Sequence, residues 1–312
     1  MTVDSSPSVL DEIAARASAP RVSVVVPTRN RATLLSRLLS ALDAQTYAHF
    51  DVWVIDDASN DATPDLLSAW AREDRMTLRN RSSTGAYASR NRGWRAASGT
   101  MIAFTDDDCF PAPDWLASLV HAMGGPGTVG VQGVTLPQPG TPTPFTHQIE
   151  QRRPGTPYRT CNIAYRRTTL DELGGFDDSF RHGADTLLGL RARACGSIAF
   201  APNAVVYHPP RKKDWRDRAA WERRFREDVR FRREALRFGI MPDERRDIEP
   251  YVVRGLPLPV VMWIIRPLQH QLRFHLRYLL AHPRVYLRGV PSLARERWEM
   301  LLALASFWLR LQ

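Results

Sequence analysis

The chain has 312 residues, an apolar fraction of 44% and a formal net charge of +10, an ordinary globular composition with room for one large domain and an appendage. The charge is uneven: residues 1–210 carry 20 Lys and Arg against 21 Asp and Glu, and residues 211–312 carry 23 against 12, so the positive excess that suits phosphates or anionic headgroups belongs to the last third. Cys109, Cys161 and Cys195 are odd in number and far apart, which excludes a disulfide framework or zinc spacing and reads as reduced thiols, and the lack of any run of about 20 apolar residues excludes a spanning helix.

Residues 1–20 are polar, with Asp4, Asp11 and Glu12 and no apolar segment of a signal peptide, and read as a flexible leader on a cytoplasmic protein. Val22–Val26, ended by Pro27, is a β-branched run that predicts a buried parallel strand. Residues 32–45 place Leu34, Leu35, Leu38, Leu39 and Leu42 at helical spacing. A second strand is predicted at Asp51–Ile55, closed by Asp56 and Asp57, and a second helix over 62–72 with Pro64 in its first turn. Met76–Leu78 predicts a third strand and residues 86–97 a helix ending at Gly99. Met101–Phe104 is the fourth strand, running into Asp106-Asp107-Asp108.

This alternation implies right-handed βαβ units and an open parallel sheet, in which ligands bind at the carboxyl ends of the strands. The acids at 56–57 and at 106–108 each follow a strand, so they are expected to converge on one crevice. Three adjacent carboxylates repel one another unless a cation offsets them. Their hard oxygen ligands suit Mg²⁺ or Mn²⁺.

Further along, residues 124–160 are rich in Gly, Pro and Thr and read as loop with one strand at Val129–Val134. A helix is predicted over 162–173, broken by Gly174-Gly175, and another over 185–195, ended by Gly196. Ile198–Phe200 and Ala204–Tyr207 are expected as two short strands. A long charged helix is predicted from Lys212 to Phe238, with Trp221, Phe225 and Val229 four residues apart.

Five segments, Val22–Asn30, Val54–Asp61, Phe104–Trp115, Cys161–Phe176 and Gly183–Arg191, occur in the order and similar spacing of family 2 glycosyltransferases, a resemblance covering about residues 21–210. It implies a GT-A type, Rossmann-like αβα sandwich that binds a nucleotide-diphosphate sugar, with residues 211–312 as a mainly helical basic extension. It further implies that Pro27, Arg29 and Asp57 hold the nucleobase and ribose. Asp106 and Asp108 fall on the family's DxD motif, Asp108 as metal ligand and Asp106 nearer the ribose. Asp185 falls on the proposed catalytic base, Arg191 on an arginine after it, and His208 on a histidine near the diphosphate. Arg90 and Asn91 lie in a segment that lines the nucleotide pocket. The implied reaction is direct displacement with inversion, in cell-envelope or polysaccharide synthesis. The pattern departs at Ala184, where the family has Glu, and at Leu187, where a second acid often stands. These departures motivate an alternative, a relative that binds nucleotide sugars without turning them over.

In the tail, Gly255–Ile265 is apolar but only 11 residues long, and Met300–Leu311 is apolar with Trp308 and Arg310. Short apolar stretches with such flanks suit an anchor lying on an anionic membrane surface, at the inner face of the plasma membrane, where a saccharide or lipid-linked saccharide acceptor would be met. A homo-oligomer interface is the rival reading. No helix-turn-helix or zinc-finger pattern points to nucleic acid, and no glycine-rich phosphate loop near the first strand points to a nucleotidyltransferase.

Overall fold

The computed structural model describes residues 19–138 and 146–212, with scattered helical positions from 219 to 302. The predicted features at 1–18, at Trp221, Phe225 and Val229 and at Gly255–Ile265 lie outside the described residues, as does nearly all of Met300–Leu311.

Four parallel strands form the first half of the sheet: β1 (Val22–Thr28), β2 (Phe50–Asp56), β3 (Arg75–Arg79) and β4 (Met101–Phe104). They are linked by α1 (Ala32–Asp43), α2 (Thr63–Trp70) and α3 (Ala86–Ala96). The chain continues through β5 (Phe110–Pro111), α4 (Trp115–Met123), β6 (Thr128–Pro137), β7 (Thr146–His147), β8 (Ile163–Arg166), α5 (Arg167–Leu173), α6 (Ala184–Cys195), β9 (Ser197–His208) and β10 (Arg211–Lys212). The large sheet has the order β3-β2-β1-β4-β8-β6-β9-β5, and β10 pairs with β7 in a small second sheet.

Side-chain alternation along β1 builds two cores. Val22, Val24 and Val26 face α1 and α4, packing with Leu35, Leu38, Leu42 and Trp115. Val25 faces the opposite layer, with Ile55, Trp94, Phe104, Tyr165 and the apolar side of α6. Both faces of the sheet are therefore covered by helices, and the valine-rich, fully buried run of β1 is what double coverage requires. The αβα expectation holds.

Three local expectations are corrected. Residues 162–173 are not one helix: Ile163–Arg166 is strand β8, antiparallel to both β4 and β6, and only Arg167–Leu173 is helical. A four-residue run is too short for its periodicity to separate strand from helix. The two short strands expected after 197 are one, β9, whose pairing with β6 slips between Gly133 and Val134 so that residues 202–204 bulge out. Pro202 and Asn203, which look like a break, sit in that bulge. The strand expected at Val129–Val134 extends over Thr128–Pro137, and α4 and β5 are additional to the expected elements.

Asn162 holds the bulge. Its Nδ2 donates to the carbonyls of Val134 (2.8 Å) and Ala204 (2.9 Å), and its Oδ1 accepts from Trp115 Nε1 (2.9 Å). Beyond the sheet, three helical positions meet the stretch that leads into α6. Arg230 pairs with Asp177 at 2.9 Å and lies over the Phe180 ring, Glu227 accepts from the Arg181 N–H, and Phe231 packs against Gly183. Among the described residues, no helix is long and apolar enough to cross a membrane.

Candidate active site

The sheet order places the carboxyl ends of β2, β1 and β4 side by side. With strands about 4.8 Å apart, the acids after β2 and after β4 are roughly 10 Å from each other. β8 runs antiparallel to β4, and β6 and β9 run antiparallel to β8 and parallel to each other. Hence β9 ends, at His208, on the same edge as β4.

An open cavity of about 270 Å³ occupies this edge. Pro27, Arg29, Asp57, Arg90 and Asp106 line it, and Thr28, Arg31 and Asp107 complete its wall. The convergence expected of the two acidic clusters is therefore present.

Asp57 is buried, and its carboxylate is fully engaged. Oδ1 accepts from Asn80 Nδ2 (2.7 Å), the Thr84 N–H (2.8 Å) and the Thr84 hydroxyl (3.1 Å). Oδ2 accepts from the Ser83 hydroxyl (2.7 Å) and the Gly85 N–H (3.0 Å). Burial pushes its pKa up, but the Thr84 N–H, Asn80, Ser83 and the Gly85 N–H together hold it well below the usual carboxylate range. Asp57 thus shapes the 80–85 loop, which leads into Ala86 on the cavity wall. Arg29 is exposed and donates to Ser83 Oγ of the same loop at 2.6 Å.

The three consecutive acids take different partners. Asp106 pairs with the buried Arg90. Asp107 accepts from Thr28 Oγ1 (2.9 Å) and Arg31 (3.2 Å), and burial raises it to about 6 in spite of the Arg31 guanidinium. Asp108 accepts from Arg31 at 2.7 Å, and its Oδ1 is 3.5 Å from His208 Nε2. The His208 Nδ1 faces the Pro209 carbonyl at 2.7 Å. A carbonyl only accepts, so Nδ1 carries the proton and Nε2 is the ring nitrogen turned towards Asp108. Ligand atoms of Asp106, Asp108, Cys109 and His208 all lie within 4.8 Å of one another. Two hard oxygens and an imidazole nitrogen with its other N–H anchored fit a divalent cation.

Asp185 occupies the first turn of α6 and is half-buried. Its Oδ1 accepts from the Tyr87 hydroxyl (3.2 Å) and from the Thr186 N–H (2.9 Å). Burial pushes its carboxyl up, opposed by the Thr186 N–H, the Arg90 charge and the Tyr87 hydrogen bond. Arg90 therefore sits between the strand-end acid Asp106 and the helix acid Asp185.

Two expected site residues have other duties. Asn91 is buried and bonded to the backbone of Phe176, donating to its carbonyl (2.7 Å) and accepting from its N–H (3.0 Å). Arg191 donates to the Leu173 carbonyl at 2.7 Å, at the end of α5. Neither lines the cavity. Conversely, Thr28, Arg31, Tyr87 and Cys109 belong to the assembly without having been expected there. For Thr28 and Arg31 the strand-end rule was the available signal, because Thr28 is the last residue of β1 and Arg31 lies in the turn that follows it. For Tyr87 there was none in one dimension.

Residues 23–183 match the family model described as glycosyl transferase family 2. A glycosyltransferase of Haloferax volcanii, AglE, is 31% identical over 209 residues, covering 62% of this chain and 68% of that protein. The O-antigen biosynthesis protein RfbC of Myxococcus xanthus is 30% identical over 223 residues, 61% of this chain but only 17% of that one. Among solved structures, the mannosyltransferase PcManGT from Pyrobaculum calidifontis, in complex with GDP-Man and Mn²⁺, superposes with a TM-score of 0.59 at 22% identity. That match covers 96% of this chain and 90% of the other.

Proposed function

The chain belongs to glycosyl transferase family 2 and has a GT-A fold, and from that premise we propose that it moves a sugar from a nucleotide-diphosphate donor to an acceptor hydroxyl, with inversion at the anomeric carbon. The observation that carries this is the single cavity in which Asp57, Arg90 and Asp106 meet, with Asp185 tied to it through Arg90 and Tyr87. Pro27 and Arg29 take the nucleobase and ribose against the loop shaped by Asp57, and Asp106 stands nearer the ribose. Asp108 and His208 hold Mn²⁺ or Mg²⁺. A cation bound there neutralises charge on the departing diphosphate. Arg31, placed against Asp107 and Asp108, adds a fixed positive charge at the same edge. Asp185 takes the proton of the acceptor hydroxyl, and burial makes it a stronger base than a solvated aspartate.

The RfbC likeness and the basic tail support a role in cell-envelope or polysaccharide synthesis, with residues 21–210 as the catalytic unit and 211–312 resting on an anionic cytoplasmic membrane face. A second reading, binding without turnover, is favoured by Ala184 and Leu187, which are buried and apolar beside Asp185.

A thermal-shift series with UDP-, GDP- and dTDP-sugars, with and without Mn²⁺, tests the proposal. One donor class should raise Tm only with the metal, and Asp108→Ala should remove the increment; a ligand at about 100 times its Kd stabilises by roughly 2.7 kcal/mol. Indifference to every donor and to the metal would overturn the proposal. Asp185→Asn separates the two readings: the enzyme loses turnover but keeps the donor-induced shift.

A further inference from the structure

Resting on the reading of Asp185 as the base, we propose that Tyr87 is its positioning residue, holding Oδ1 so that Oδ2 receives the acceptor proton. Both hydrogen bonds to Asp185, from the Tyr87 hydroxyl and the Thr186 N–H, land on Oδ1, and among the described residues Oδ2 receives none. A carboxylate tied down by one oxygen presents the other in a fixed direction. That is what proton abstraction needs, since small misplacements of a reacting group are costly. In the step itself the acceptor O–H bond breaks, its proton passes to Asp185 Oδ2, and its electron pair forms the new bond to the anomeric carbon as the nucleoside diphosphate leaves. Tyr87 keeps its own proton throughout.

The phenol is built to stay put. Its ring stacks on Phe176 with centroids 5.6 Å apart, and Phe176 in turn meets Phe104 edge-on at 5.1 Å. Arg90, one turn later on α3, lies over the Tyr87 ring at 5.7 Å and pairs with Asp106. One helical face therefore orients the base and the donor-side acid together, and residues three apart are neighbours on such a face. Burial and the adjacent Asp185 push the phenol above its ordinary range, so it donates at every working pH. The other groups facing Asp185 are Arg90 from α3, Asp106 after β4 and Tyr165 from β8. None of them donates a hydrogen bond to it in this structure. Ala184, beside it, brings no polar side chain.

Tyr87→Phe keeps the ring and removes only the hydroxyl. The test follows nucleoside diphosphate release from UDP-glucose, UDP-N-acetylglucosamine and GDP-mannose with Mn²⁺, water serving as acceptor, across a pH series. Tyr87→Phe should lower kcat about tenfold, the equivalent of one lost hydrogen bond in the transition state, with the donor KM unchanged. Donation favours the ionised carboxylate, so its loss raises the pKa of Asp185, and the acid limb of the kcat profile should move to higher pH. A 3,5-difluorotyrosine at position 87 is a stronger donor and should move the limb to lower pH; it carries the test if Tyr87→Phe fails to fold. Parental kcat and an unmoved limb in both variants overturn the proposal while leaving the base assignment intact. Full turnover in Asp185→Asn overturns the base assignment instead. Turnover of none of the three donors counts against both.

Discussion

Asp57, proposed above to stand in the donor pocket, is also committed to structure. Five donors converge on it, four of them from the three consecutive residues Ser83, Thr84 and Gly85. Asp57→Asn would set an amide against two backbone N–H groups, at a cost of about 2–3 kcal/mol near neutral pH. The sign with pH follows from the lowered pKa. The wild-type carboxylate contributes stability above its unfolded value of about 3.9 and loses it as pH falls through its lower folded value. Urea unfolding of both proteins should therefore show a gap at about pH 7 that narrows below about pH 4; a constant gap would mean that charge is irrelevant to the loop. At this scale the sequence yielded which acids would cluster, because strand ends converge in an open parallel sheet. It did not yield what each side chain would hold. Asn91 and Arg191 stand at motif positions yet bind the backbone of Phe176 and Leu173. Tyr87 reaches Asp185 across 98 residues of sequence, a separation that no motif spacing encodes.

Among the elements, β1, β2 and β4 were legible as buried, mostly apolar runs, and β1, β2 and β3 because each leads into a helix. β8 was not, because Ile163–Arg166 is four residues long and runs directly into a helix. β9 was read as two strands because a bulge and a break use the same residues, here Pro202 and Asn203. The bulge matters to the site, since it sets where β9 ends and so where His208 stands. Gly133 is part of its fit: a Cβ there would lie 2.4 Å from the Ala204 carbonyl oxygen and 2.5 Å from Asn162 Oδ1. Gly133→Ala should destabilise by about 1–3 kcal/mol through overpacking and should weaken Mn²⁺ binding, because the strand carrying His208 must shift. Calorimetric unfolding and metal titration check the two effects; an unchanged Mn²⁺ affinity would detach the bulge from the metal site.

For the molecule as a whole, composition alone separated a nearly neutral first two-thirds from a basic remainder. If that remainder rests on anionic lipid, the intact chain should float with phosphatidylglycerol vesicles and not with phosphatidylcholine alone, and removal of 251–312 should abolish flotation. Flotation unaffected by the deletion would place the attraction elsewhere. The contacts of Glu227, Arg230 and Phe231 with residues 177–183 have a bearing on how relatives are compared and recombined. The stretch that matches the family model ends at Gly183, the residue against which the Phe231 ring rests. With Asp185 as the proposed proton acceptor, a chimera spliced at that junction would inherit the nucleotide half from one parent and the brace for that residue from another. Grafts that exchange donor preference between such enzymes should therefore travel with the helix that buttresses the loop, or they will bind the new sugar and fail to pass it on.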